Sequence, residues 1–149
     1  MPSGKVTTMR KVASLASIVL GVVLIIGGIG TWVMVSSMLA DQRITTPDDA
    51  CLPERDVRGP FTAYCQAKII ETHALDSTGG ATYAELDRED PMRNVAMNAS
   101  FLQASLFTSV LAFGVSAMAI AMGLLFILIG LGIKDVAERT GAVAPPARV

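Results

Sequence analysis

Residues 94–133 read NVAMNASFLQASLFTSVLAFGVSAMAIAMGLLFILIGLGI, forty residues without one charged side chain. A second charge-free run, VASLASIVLGVVLIIGGIGTWVMVSSMLA at 12–40, is 29 residues long. A bilayer core takes about 20 apolar residues in helical form. Backbone polar groups find no water inside lipid, so a spanning segment must satisfy them within a helix. A charge at the bilayer centre costs about 2.5–3.5 kcal/mol on insertion scales. Two such runs in 149 residues therefore predict an all-α membrane protein: a two-helix transmembrane hairpin with a small helical extracytoplasmic cap between the spans.

The rest of the chain divides around them. Residues 1–11 form an N-terminal tail, 12–40 the first span, 41–90 the cap, 91–133 a stalk with the second span, and 134–149 a C-terminal tail. Hydrophobic residues make up 52% and charged residues 17%, against about 25% charged in a soluble domain. The segment 41–93 has 53 residues, below the ~70–80 at which a lone hydrophobic core suffices, so it needs a staple, a platform or a partner. Six Lys+Arg lie in the two short tails and six in the longer loop, so basic density is higher in the tails. The positive-inside rule then places both termini in the cytoplasm and loop 41–93 outside a plasma membrane. The loop also carries eleven Asp+Glu against its six Lys+Arg. The first run is too long for a signal-peptide core of 7–15 residues, and Met38 spoils a small-x-small cleavage site, so it reads as an uncleaved anchor.

The second run is longer than a bilayer requires. Asp90-Pro91 has the form of a helix start, an Asp cap before a first-turn Pro, and no further Pro occurs up to Ile133. At 1.5 Å per residue that helix is roughly 65 Å long. Its first three turns, to about Gln103, are expected to project as a stalk whose face of Met92, Val95, Ala96, Ala99 and Leu102 packs on the cap.

Within the cap, Cys51 and Cys65 are the only cysteines. In an oxidising compartment two thiols in one small domain pair, and closing that loop contributes about 3 kcal/mol in the chain-entropy model. A metal site built from the cysteines with His73 lacks any standard ligand spacing. Gly59-Pro60 predicts a helix through about Leu75 with a stripe of Ala63, Ala67, Ile70 and Ala74, followed by a turn at Asp76–Gly80. Thr82-Tyr83-Ala84-Glu85 has capping-box spacing and predicts a short helix through Leu86. Glu85, Asp87, Glu89 and Asp90 lack the spacing of a calcium loop and have Arg88 and Arg93 among them, so they read as a solvated face. His73, the only histidine, reads as a surface or hydrogen-bonded residue.

Neither span holds an ionisable side chain, the usual mark of a proton relay or ion path. Both hold small residues at packing distance: Ser17 and Gly21, then Gly27, Gly28 and Thr31, in the first; Ser105, Ser109, Ala112, Ser116, Ala119 and Gly123 in the second. Such rows let helix backbones approach closely, either within the hairpin or between chains. Gly130 and Gly132 are read as lipid-facing without a packing role, and Trp32 as an interfacial anchor at the outer end.

Asp41–Thr45, Gly59–Tyr64, His73–Leu75, Gly79-Gly80, Thr82–Arg88 and Ser105–Val110 together resemble a family of small two-span actinobacterial membrane proteins of uncharacterised role. The resemblance covers roughly residues 30–133 and excludes the cysteine pair. That family often bears the label "aromatic ring-opening dioxygenase". Non-haem iron oxygenases typically hold iron with two histidines and a carboxylate, and this chain has one histidine. The label is therefore set aside, and no enzyme activity, cofactor or metal is expected.

The expected partners are the lipid bilayer and either a membrane-protein partner or a second copy; nothing points to nucleic acid. The leading expectation is an accessory subunit or assembly factor of a larger membrane complex, a respiratory one by analogy. A second is an extracytoplasmic sensor whose cap recognises a ligand or envelope component through Phe61, Tyr64, His73, Tyr83, Glu85, Asp87 and Arg88. A third is an oligomeric small-solute channel lined by the Ser and Thr of the second span.

Overall fold

The computed structural model describes residues 3–142. It contains three helices, α1 (Ser3–Asp41), α2 (Pro60–Ser77) and α3 (Arg93–Ala142). Among the described residues there is no strand, only an isolated antiparallel bridge between Thr45 and Asp56. The all-α architecture with two long apolar helices and a small helical region between them is as the sequence predicts. Both long helices outrun their apolar stretches. Residues 3–11 continue α1, and α3 runs past Lys134 to Ala142, supported by Asp135–Arg139 at 2.9 Å and Lys134–Glu138 at 4.0 Å. Pairs at i,i+4 of this kind contribute about 0.3–0.5 kcal/mol each. The last C-terminal residues, 143–149, lie outside the described range.

α1 and α3 are each long and apolar enough to cross a bilayer, and only 17% of the most apolar window of each is buried. The core helix of a water-soluble chain hides its apolar residues; these two leave theirs on the surface.

The chain divides into two compact units. The first takes α1 up to Gly30 and α3 from Ser116, and its two helices meet along a row of small residues. On α1 Ser14, Gly21 and Gly28 are buried; on α3 Ser116, Gly123, Gly130 and Ala137 are. Both rows repeat every seven residues, a 3.5-residue period that keeps one seam facing the partner helix. Gly21 and Gly123 fit against each other: a Cβ on Gly21 would stand 2.5 Å from the Gly123 carbonyl oxygen, and one on Gly123 2.6 Å from that of Gly21. A Cβ on Gly28 would likewise stand 2.8 Å from Ser116 O. The Ser14 hydroxyl donates to Gly130 O and that of Ser17 to Phe126 O, each at 2.7 Å. A polar side chain with no water to turn to is thereby satisfied across the helix pair.

Gly130 corrects the sequence reading. It is buried, and a Cβ there would meet the Ser14 carbonyl oxygen at 2.9 Å, so it belongs to the seam. Gly132 and Gly27 have nothing within 4 Å of a Cβ and stay on the outer surface. Gly130 and Gly132 look alike in sequence, but only Gly130 keeps the seven-residue register with Gly123.

The second unit, Thr31–Val115, contains the last turns of α1, the loops, α2 and the first half of α3. Its core is Leu39, Val57, Ala63, Ala67, Leu106 and Phe113, with Trp32, Val35, Ile44, Ile70 and Val110 packed on it. Trp32 meets Phe113 edge-on at 4.8 Å between ring centroids, a favourable aromatic geometry. α2 starts as expected: Gly59 is the cap, Pro60 opens the first turn, and the Thr62 hydroxyl accepts from Gly59 N at 3.2 Å. Its stripe is confirmed at Ala63 and Ala67, both fully buried. The helix runs two residues beyond Leu75 and ends where Gly79 and Gly80 take φ of 65° and 92°, a left-handed conformation that glycine adopts without penalty. Gly80 N then donates to Leu75 O at 2.7 Å and Thr78 N to Ala74 O at 3.0 Å, closing the helix C-terminus.

The short helix expected at 82–86 is a single turn. Glu85 and Leu86 both donate backbone N–H to Thr82 O, but a second turn follows, with Asp90 N on Asp87 O, and Pro91 disfavours helical geometry at Asp90. Too few residues separate Thr82 from Pro91 for a helix to propagate. α3 starts at Arg93 and not at Pro91; the Asp90 carboxylate accepts from Met92 N at 2.7 Å in the turn just ahead of it.

Candidate functional site

The side chains that carry any recognition chemistry gather in the second unit, on loop 42–59, on α2 and on the turns before α3. Loop 42–59 is organised around Thr46, which is 2% exposed. Its N–H donates to Arg55 O at 2.9 Å, its hydroxyl accepts from Arg55 N at 2.9 Å, and its hydroxyl also donates to Leu52 O. Arg43 and Glu54 flank this knot with φ of 52°, a region few non-glycine residues occupy. The Ser36 hydroxyl on α1 donates to Arg58 O at 2.7 Å, tying the end of the loop to the helix.

Beyond the Thr62 hydroxyl, which accepts from Arg58 N and Gly59 N at 3.2 Å, a disulfide and a hydrogen bond fasten the loop to α2. Cys51 and Cys65 form a disulfide, with Cα atoms 5.4 Å apart, so the thiols are not available as metal ligands. His73 Nε2 donates to Asp49 Oδ2 at 2.7 Å on the exposed side. The acidic residues of the following turns are engaged locally. Glu85 accepts from the Thr82 backbone N–H at 2.8 Å and from its hydroxyl at 2.7 Å, and these two bonds hold its carboxyl below the usual carboxylate range. Arg93 stacks on Tyr83, 4.3 Å from the ring centroid, and donates to Leu86 O, which pins the turn to the first residue of α3.

The seven residues proposed for recognition therefore go to different neighbours. Tyr64 meets Phe107 edge-on at 6.1 Å, His73 takes Asp49, Tyr83 takes Arg93, and Glu85 takes Thr82. Asp87 and Arg88 are exposed on the turn, and Phe61 is 78% exposed at the start of α2. Of the seven, His73 alone lines the groove of about 330 Å³ between α2 and α3, where it joins Ile70, Ala74, Val95, Asn98 and Leu102. That groove lies where the stalk face meets α2. Ala96 is buried and Ala99 half-buried, as the spacing predicts, while Val95 and Leu102 remain largely exposed. The Gln103 side chain donates to Ala67 O at 3.4 Å, marking the level at which α3 joins the core.

The helix-packing residues divide in the same way. Ser17, Gly21, Ser116 and Gly123 lie in or beside the seam of the first unit, and Ala119 is half-buried there. Ser109 donates to Ser105 O within α3 at 3.1 Å, Ser105 is exposed, and Ala112 is half-buried in the second unit. The small-residue rows expected from sequence omit Ser14 and Ala137 and put Gly130 on the lipid face; the seven-residue spacing of the seam joins all three. Sequence reasoning also missed Asp49 as the partner of His73, which only the folded loop brings near. No family model, curated protein or solved structure matches the chain.

Proposed function

We propose that the chain is a non-catalytic two-span membrane protein that serves as an accessory subunit or assembly factor of a larger membrane complex. The carrying observation is that its exposed apolar helix surface is too long for lipid alone to cover. From Val12 to Ala40 a helix extends about 43 Å at 1.5 Å per residue, against a hydrocarbon core of about 30 Å. A tilt of about 20° takes off only about 3 Å. Counted outward from Lys11, 20 residues end at Thr31; counted back from Lys134, 20 residues end at Gly114. The next residues are Trp32 and Phe113, the pair in edge contact, and an aromatic at that level suits a membrane interface. Beyond it Val33, Met34 and Met38 on α1 and Phe101, Leu102, Phe107 and Leu111 on α3 remain exposed. Exposed apolar surface of this extent marks an interaction site.

In this reading the termini are cytoplasmic, 41–93 lies outside, and the resemblance to small actinobacterial membrane proteins fits the same architecture. The small-residue seam serves the hairpin itself, which leaves the outer apolar surface for the partner. The sensor reading keeps one specific support, the groove beside His73. The test is extraction of the tagged protein from its native membrane in mild detergent, with quantitative mass spectrometry of what accompanies it. A partner at near-equal stoichiometry is the expected result; recovery as a lone monomer would overturn the proposal.

A further inference from the structure

Where the start of α1 meets the end of α3 in the first unit, a groove of about 280 Å³ runs between the two helices. Its walls are Leu15, Ile18 and Ala137, and its mouth carries Lys11 from one helix and Lys134 from the other. Ser14 also lines it, but its hydroxyl is already committed to Gly130 O, so the interior is apolar. Glu138 stands at the same mouth, 4.0 Å from Lys134, which leaves one positive charge in excess.

We infer that this groove holds one anionic glycerophospholipid, an acyl chain against Leu15 and Ile18 and the phosphate between Lys11 and Lys134. The chemistry is complementary at both ends. Two ammonium groups on separate helices face one level of the bilayer, where each lysine stem covers apolar surface while its head seeks an anion. Basic pockets between membrane helices are suited to acidic headgroups. Phosphatidylcholine would bring a quaternary ammonium to a mouth that already has a positive excess, and the one carboxylate there is shared with Lys134. The inference goes beyond the accessory-subunit reading and rests only on the helices lying in a bilayer. It is tested on the isolated chain, so failure to find a protein partner leaves it untouched.

The experiment titrates the purified, delipidated full chain in detergent with phosphatidylglycerol or phosphatidylcholine and counts bound lipids by native mass spectrometry. Phosphatidylglycerol is expected to bind about tenfold more tightly. The double variant Lys11→Gln/Lys134→Gln should lose that preference, while Lys11→Arg/Lys134→Arg and Arg139→Gln, a charge outside the groove, should keep it. Equal binding of the two lipids would overturn the inference, as would loss of preference in the Arg pair. An equal loss in Arg139→Gln would assign the effect to diffuse rim charge. Displacement of phosphatidylglycerol by millimolar inorganic phosphate would show an anion site in place of a lipid site.

Discussion

Replacing Gly123 by alanine adds one carbon where α1 and α3 come closest in the seam. That carbon would lie 2.6 Å from the Gly21 carbonyl oxygen, 2.7 Å from Ile25 Cγ1 and 3.1 Å from Ile25 N. The Ile25 side chain can rotate away, but the two backbone atoms cannot. Ordinary contact begins near 3.4 Å, so the helices must part locally by about 0.8 Å, an amount that would stretch the 2.7 Å bond from Ser17 to Phe126 O to the limit of a hydrogen bond. Overpacking of this kind costs about 1–3 kcal/mol, and a lost interhelical bond in a membrane about 0.6 kcal/mol more. Against this, alanine in a helix gains up to about 1 kcal/mol over glycine. The net expectation is destabilisation by about 1–3 kcal/mol. Gly27→Ala, where a Cβ meets nothing within 4 Å, carries only the gain and should be neutral or stabilising. Dodecyl sulfate titration in mixed micelles, followed through the fluorescence of Trp32, the only tryptophan, measures both. Equal stability of Gly123→Ala and the parent, or equal cost at Gly27 and Gly123, would refute the seam.

Reduction of Cys51–Cys65, or its replacement by serines, should cost the second unit about 3 kcal/mol, read as a lowered melting temperature and faster protease cleavage in loop 42–59. Phe113→Ala, at a position 1% exposed, should cost about 3–5 kcal/mol and shift the Trp32 emission; a change under 1 kcal/mol would remove it from the core. Glu85 has a depressed carboxyl in the fold, so its contribution is present above the ordinary value of 4.5 and is lost as pH falls through the folded value. The protection factor of the Thr82 amide, its exchange rate relative to the free peptide at the same pH, should therefore fall on acidification below that range, and in Glu85→Gln that fall should be absent.

The fold was legible where a single physical constraint dominates. Lipid excludes charge, so the two runs at 12–40 and 94–133 declare the long helices without tertiary information. Gly59-Pro60 and the Ala63/Ala67 stripe likewise locate α2, because capping and helical period act locally. Reading failed where the outcome depends on a competitor. Thr82–Glu85 has helix-start chemistry, and Pro91 then stops the helix that chemistry would begin. Gly130 and Gly132 differ only in register, and only Gly130 keeps the seven-residue spacing of the seam. The pairing of His73 with Asp49 spans 24 residues and follows from the Thr46 knot and the disulfide, neither of which leaves a periodic trace. The recognition residues share sequence motifs but disperse to separate neighbours, since a motif is linear and a site is not.

Lipid is expected to cover the helices only as far as the level of Trp32 and Phe113, leaving the apolar surface beyond for a protein. Spin labels placed singly from Val12 to Ala40 in the purified chain, reconstituted in nanodiscs, report collision with oxygen or with a water-soluble nickel reagent. Oxygen is expected to dominate through Gly30 and the nickel reagent at Val33, Met34 and Met38. Oxygen-dominated signals continuing to Met38 would mean that lipid covers the whole apolar length, and the case for a covering partner would fall.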